Sequence, residues 1–299
     1  MIVTVHGQAA YCYTGGRAFD TTLPRIVFLH GAQNDHSVWA LQSRYFAHHG
    51  FSVLAVDLPG HGRSAGPALG SVGTLADWLL ALLDAAGGGG PATLVGHSMG
   101  SLVALEASVR APHRVARLAL IATAWPMRVS LELLAAARDD EQSAIDMVCV
   151  WSHSTMAQKP SFPGPGFSVA GGSRRLMQQV ARRINTDGAP AKVFLTDFQA
   201  CDTYANGAAA AAAVHCPTLF VLGQDDQMTP PKASAALRNA IAHHQLVQLT
   251  NCGHSLMSEQ PDAVLEALFD FATSPGSLQP GIAAASGMAP ATPESNGVA

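Results

Sequence analysis

Charge is scarce in this chain of 299 residues: Asp, Glu, Lys and Arg together make up 13% of it, about half the share a soluble domain ordinarily carries. Disorder would combine few apolar residues with high net charge. Here 48% of residues are hydrophobic and the formal net charge is −4, so there is material for a sizeable core. Long apolar runs are also missing. Nothing approaches the ~20 residues a bilayer-spanning helix needs, and the longest bland run, residues 208–214, is short and Ala-based. The first residues lack a basic stretch followed by an apolar one, so no secretory signal and a cytoplasmic location are expected. Long runs of Lys or Arg are absent, which argues against nucleic acid and anionic membrane surfaces as partners. The 28 glycines show no period of three, which excludes a collagen-like chain. Five cysteines (Cys12, Cys149, Cys201, Cys216 and Cys252) are scattered and form no C-x-x-C pair. Neither a disulfide framework nor a metal site is expected, and no cofactor is implied.

What is present is an alternation. Residues 25–30, 51–57, 92–96, 115–121, 218–223 and 244–249 are short apolar runs, most of them apolar on both faces, as in a parallel sheet covered on each side. Between them, residues 38–49, 75–86, 101–110, 232–242 and 263–272 repeat apolar residues at helical spacing. The pattern predicts an α/β fold with a doubly wound, mostly parallel sheet, with an edge hairpin from residues 2–5 and 9–13. The alternation breaks after Trp125. Residues 131–137, 143–151, 174–184 and 192–204 read as helices, divided by a Pro/Gly-rich stretch at 159–166. The expected domains are a core of 1–125 and 214–273, a helical lid of 126–213 between two strands, and a disordered tail of 274–299.

One motif carries chemistry. Gly96-His97-Ser98-Met99-Gly100 is a G-x-S-x-G between an apolar strand and a helix, the context in which that pattern becomes informative. So tight a turn strains its central residue and raises Ser98 Oγ at the carboxyl end of the strand. The N-terminus of the helix aims free amides at a developing oxyanion. A serine hydroxyl needs a base. Among thirteen histidines, His254 follows the last strand, behind Gly253, at the same edge of the sheet. The base needs an acid to orient it, and Asp226 is preferred to Asp225 in the loop after the fifth run. The order Ser98, Asp226, His254 is that of α/β-hydrolase triads.

With these motifs the chain resembles the α/β-hydrolase fold superfamily, in its serine-nucleophile, esterase-like branch with a helical cap. The likeness spans about residues 25–272. It adds His30-Gly31-Ala32, the stretch Asp57-Leu58-Pro59-Gly60-His61-Gly62-Arg63-Ser64, Asp226 with Pro230, and Gly253-His254 ahead of Glu259-Gln260-Pro261. The resemblance implies an oxyanion hole from the backbone N–H groups of Ala32 and Met99. Dehalogenases and epoxide hydrolases of the fold carry Asp where Ser98 stands and are disfavoured. Thr123 leaves the family's alternative acid position unused. His30, Asp57 and His61 read as loop scaffolding, and His36 and His97 receive no role.

The expected activity is hydrolysis of a small or medium carboxylic ester, lactone or thioester through an acyl-enzyme. Trp125, Trp151, Met156, Phe162, Phe167 and Leu256 are candidate substrate-lining residues, and the expected partner is a small ester-like molecule. Two alternatives stand beside this reading. One is a C–C bond hydrolase of an acidic ring-cleavage product, which would want a basic pocket group such as Arg174, Arg175, Arg182 or Arg183. The other is a slow-turnover ligand-binding receptor. Low surface charge also raises self-association into a homo-oligomer.

Overall fold

The computed structural model describes residues 1–154, 168–182 and 191–274. Eight strands form one sheet: β1 (Ile2–Val5), β2 (Gln8–Tyr13), β3 (Arg25–Leu29), β4 (Ser52–Val56), β5 (Ala92–His97), β6 (Val115–Ile121), β7 (Thr218–Gly223) and β8 (His244–Leu249). Their order is β1-β2-β4-β3-β5-β6-β7-β8. The β1–β2 hairpin and the β2–β4 pairing are antiparallel, and every later pairing is parallel. This is the α/β-hydrolase fold, and its site is determined by where the parallel strands end.

The two-faced apolar character of the strands has a direct structural cause. Successive side chains of a strand point to opposite faces. In β3, Val27 and Leu29 therefore enter one hydrophobic cluster, while Ile26 and Phe28 enter the other. The first cluster is closed by α2 (Val72–Ala85) and α3 (Met99–Arg110), through Leu75, Leu79, Leu102 and Leu105. The second is closed by α1 (Ala40–His48) and α11 (Pro261–Thr273), through Phe46, Leu268 and Phe271. Phe46 is fully buried, which contributes about 2–3 kcal/mol.

Between β6 and β7 the chain runs through α4 (Leu131–Asp139), α5 (Glu141–Trp151), α6 (Val169–Ala181), α7 (Val193–Thr203) and α8 (Gly207–Ala212). Ser130, Asp140 and Ser168 cap the first three by accepting from backbone N–H groups of Leu133, Ser143 and Gly171, each cap worth about 1 kcal/mol. Helices α4 to α7 share a third cluster with Leu133, Ala137, Ile145, Met177 and Phe194 at its centre. Helix α8 lies on the short Ala-based run. Ala has the best helix propensity, and Ala210 and Ala211 bury themselves in the first cluster. The helix expected over residues 38–49 begins as a 3-10 turn, His36–Trp39, whose Asp35 cap accepts from Ser37 N–H. Two further short α-helices among the described residues are α9 (Ala235–Ala240) and α10 (Leu256–Glu259). The Pro/Gly-rich stretch at 159–166 and the tail from 275 lie outside the described residues. No helix among the described residues is long and apolar enough to cross a membrane.

Candidate active site

Strand β5 ends at His97 and helix α3 starts at Met99, so Ser98 alone makes the turn. Its backbone sits at φ 52, ψ −118, a left-handed conformation that costs a non-glycine residue on the order of 1–3 kcal/mol. Two features hold it there. Ser98 N–H donates to the Ile121 carbonyl at 2.9 Å, extending the ladder of β6. Gly100 lets α3 rest on the end of β3, where a Cβ would stand 2.5 Å from the carbonyl oxygens of Leu29 and His30. Met99 is the first residue of the helix, so its amide has no partner within it.

His254 and Asp226 meet beside this turn. Nδ1 of His254 lies 2.8 Å from Asp226 Oδ2. The Thr229 hydroxyl donates to the same carboxylate oxygen at 2.7 Å and lies 3.2 Å from Nδ1. Its single proton is thereby committed, so the Nδ1 proton belongs to the imidazole and is shared by Oδ2 and Oγ1. That fixes the tautomer in which Nε2 is the basic nitrogen. The other oxygen, Oδ1, accepts from the N–H groups of Met228 and Thr229, both at 2.8 Å. Burial raises the Asp226 pKa, but the facing imidazole and these hydrogen bonds outweigh it, so the net shift is downward. Asp225 is exposed, and its N–H is spent on the Cys252 carbonyl.

The loop carrying His254 is braced from three sides. His97 Nε2 donates to the His254 carbonyl at 2.9 Å. Burial, with the His254 ring close by, pushes His97 down to about 3, so it is a neutral prop. Glu259 accepts from Gly253 N–H at 3.1 Å and from Ser154 N–H at 2.9 Å, and Ser255 N–H donates to the Ser152 carbonyl at 3.0 Å. The last two contacts tie the loop to the end of α5.

Ser98, His254 and Ala32 line one cavity of about 320 Å³, within the size of small-molecule sites. Its far walls come from the insertion: Leu133, Trp151, Phe198 and Cys201, with Met127 and Arg128 before α4. Among the described residues, neither Ser98 Oγ nor His254 Nε2 carries a hydrogen bond, so both are open to a ligand. The Arg128 guanidinium donates to the Asp202 carbonyl at 3.0 Å and is largely exposed.

Several lining expectations need correction. Trp151 is on the wall, but Trp125 and Leu256 are not. Trp125 packs on Gly207 at the start of α8, where any Cβ would run into its indole. Leu256 is fully buried in the second cluster. Met156, Phe162 and Phe167 lie outside the described residues. The expected basic groups are elsewhere as well: Arg174 pairs with Asp146 at 3.2 Å, Arg175 borders a separate groove with Leu41, and Arg183 lies outside the described residues. Arg128 and Thr229 were missed. Thr229 had a signal, since a hydroxyl three residues after Asp226 is the spacing of a side-chain-capped turn.

His30, Asp57 and His61 hold loops. Asp57 accepts from the N–H groups of His36 and Arg63. His30 donates from Nδ1 to the Gly31 carbonyl and accepts from Leu58 N–H, and burial pushes it down to about 3.

Known proteins match this chain over most of its length. The family model for the alpha/beta hydrolase fold covers residues 24–261. The chain is 24% identical over 250 residues to the (E)-2-((N-methylformamido)methylene)succinate hydrolase of Acinetobacter baylyi, covering 81% of this chain and 88% of that protein. It is 28% identical over 263 residues to a pimeloyl-(acyl-carrier protein) methyl ester esterase of Aromatoleum aromaticum, covering 80% and 94%. Among solved structures, the enol-lactonase from Burkholderia xenovorans superposes with a TM-score of 0.76 at 24% identity, covering 92% of this chain and all of that one; at that identity the likeness speaks for the fold. The chain belongs to the alpha/beta hydrolase fold family and is an enzyme of the hydrolase class.

Proposed function

We propose that the protein hydrolyses a small or medium carboxylic ester, lactone or thioester through an acyl-enzyme on Ser98. The observation that carries this reading is the strained Ser98 turn on the same cavity as a His254 whose tautomer is fixed by Asp226 and Thr229. Ser98 Oγ attacks the carbonyl carbon while His254 Nε2 takes its proton. The N–H groups of Ala32 and Met99 receive the negative charge of the tetrahedral intermediate. The leaving oxygen or sulfur departs with the proton from His254. Water then attacks the acyl carbon, gives its proton to His254 and releases the acid, and the proton returns to Ser98. Helices α4, α5 and α7, which put Leu133, Trp151 and Phe198 on the cavity, act as a roof whose apolar wall takes the acyl part.

A fluorophosphonate probe tests the nucleophile. It should label Ser98 in the native chain and fail on Ser98→Ala; a label elsewhere, or none on folded protein, overturns the reading. A panel of esters, lactones, thioesters and C–C substrates then settles the scissile bond. Arg128 favours a second reading of specificity, in which the substrate carries an anionic end group, as in the succinate derivative named for the Acinetobacter relative. Arg128→Ala should then raise KM about 10-fold for an acidic ester, the value of one charge-assisted hydrogen bond, and leave a neutral ester unaffected. Equal effects on both esters would remove Arg128 from recognition.

A further inference from the structure

The residue after the oxyanion candidate Ala32 is Gln33, and it is held unusually. Its φ is 57, left-handed for a side chain with no glycine freedom. It is fully buried, and it makes hydrogen bonds to two helices of the insertion. Gln33 Nε2 donates to the Met177 carbonyl of α6 at 3.0 Å. Gln33 N–H donates to Asp197 Oδ2 of α7 at 2.8 Å. The same oxygen lies 2.8 Å from His61 Nε2, in the loop after β4.

Hydrogen-bond accounting gives the charge state. His61 Nδ1 lies 3.0 Å from the Pro59 carbonyl, an acceptor only, so Nδ1 carries a proton. Nε2 faces a carboxylate oxygen already receiving the Gln33 N–H, so it carries a proton too. His61 is an imidazolium against the Asp197 carboxylate, each 1% exposed. Burial works against that charge, but the facing Asp197 carboxylate outweighs it and raises the His61 pKa. A buried carboxylate paired this way is an expensive anchor, and its second donor is the backbone of the oxyanion loop.

We propose that Asp197 is a positioning residue: through Gln33 N–H it sets the loop that offers Ala32 N–H to the oxyanion, and so lets helix α7 brace the oxyanion hole. The proposal rests on the reading of Ser98 and Ala32 given above. Asp197 acts through the loop and touches no reacting atom. Its loss should therefore weaken transition-state binding and leave ground-state binding alone.

The test uses the full chain with a short p-nitrophenyl ester, a boronic acid that forms a tetrahedral adduct on serine, and fluorophosphonate labelling. Asp197→Ala removes the anchor. Its kcat should fall about 100-fold, the low end for losing one oxyanion donor, with KM within about twofold and boronate affinity weakened in parallel. Asp197→Asn preserves the volume and an acceptor for Gln33 N–H but loses the charge facing His61, so about a tenfold fall is expected, a part of that loss. Both variants should still be labelled at Ser98. Unchanged kcat in labelled variants, or a change in KM alone, overturns the proposal and leaves the proposed function standing. A native chain that neither labels at Ser98 nor cleaves the ester overturns the proposed function and this inference with it. If Asp197→Ala fails to fold, Asp197→Asn decides; misfolding of both assigns the pair a structural role and overturns the proposal.

Discussion

Two buried histidine–carboxylate pairs lie in this molecule with the same 2.8 Å separation, His254 with Asp226 and His61 with Asp197. In the first, Asp226 and Thr229 occupy Nδ1 and leave Nε2 on the cavity. In the second, Pro59 and Asp197 occupy both nitrogens and the ring is 1% exposed. A histidine with one nitrogen committed can pass a proton, and one with both committed can only hold charge in place. The two pairs therefore differ in what lies beyond the imidazole, because the carboxylate contact is common to both.

Removing each imidazole in turn separates the two pairs most widely. His254→Gln should lower kcat on the best ester by about 10⁴-fold or more, with Asp226→Asn close to that figure, while thermal unfolding changes little. His61→Gln should lower kcat only about tenfold, the figure for losing the same charge pair through Asp197→Asn, and should act mainly on stability. It leaves the Asp197 carboxylate buried without its counter-charge, at about 3 kcal/mol of stability, read by denaturant unfolding. Comparable activity losses in both would dissolve the distinction.

The neutral histidines respond to pH in the opposite sense to His61. His30 and His97 are pushed down to about 3 in the folded chain, against about 6.5 when unfolded. Between those values the unfolded chain holds the extra protons, so stability falls as pH falls, by about 1.4 kcal/mol per pH unit for each histidine. His61, with its pKa raised, works in the opposite sense. Its contribution is complete below the unfolded value and is lost as pH rises through the folded one. Denaturation followed from pH 7 to 4 should show the acid slope, and His97→Gln should reduce it by one proton. The smallest effect expected is on Thr229→Val, which loses one hydrogen bond to Asp226 and should lower kcat about 10-fold.

Much of this was legible in the sequence, and the limits have physical causes. The six apolar runs announced a doubly covered sheet because alternate residues had to serve opposite faces. Ser98 was legible because glycines must flank so tight a turn. Asp226 could be preferred to Asp225, but only the fold shows which one His254 meets. Trp125 and Leu256 were misplaced because a large apolar side chain suits a core and a cavity wall equally well. Arg128 and Phe198 reach the cavity only once the insertion folds over the strand ends. Asp197 meets His61 across 136 positions, a distance at which no local pattern operates.

Glu259 has a consequence for any attempt to re-engineer the enzyme. One carboxylate spans Gly253, in the loop that presents His254, and Ser154, at the end of α5. Replacing helix α5 and the residues after it as far as Ser154 would remove part of the frame that holds the His254 loop. A graft meant to import a new specificity should preserve the backbone around 152–154 in place, or it will import a mispositioned histidine as well.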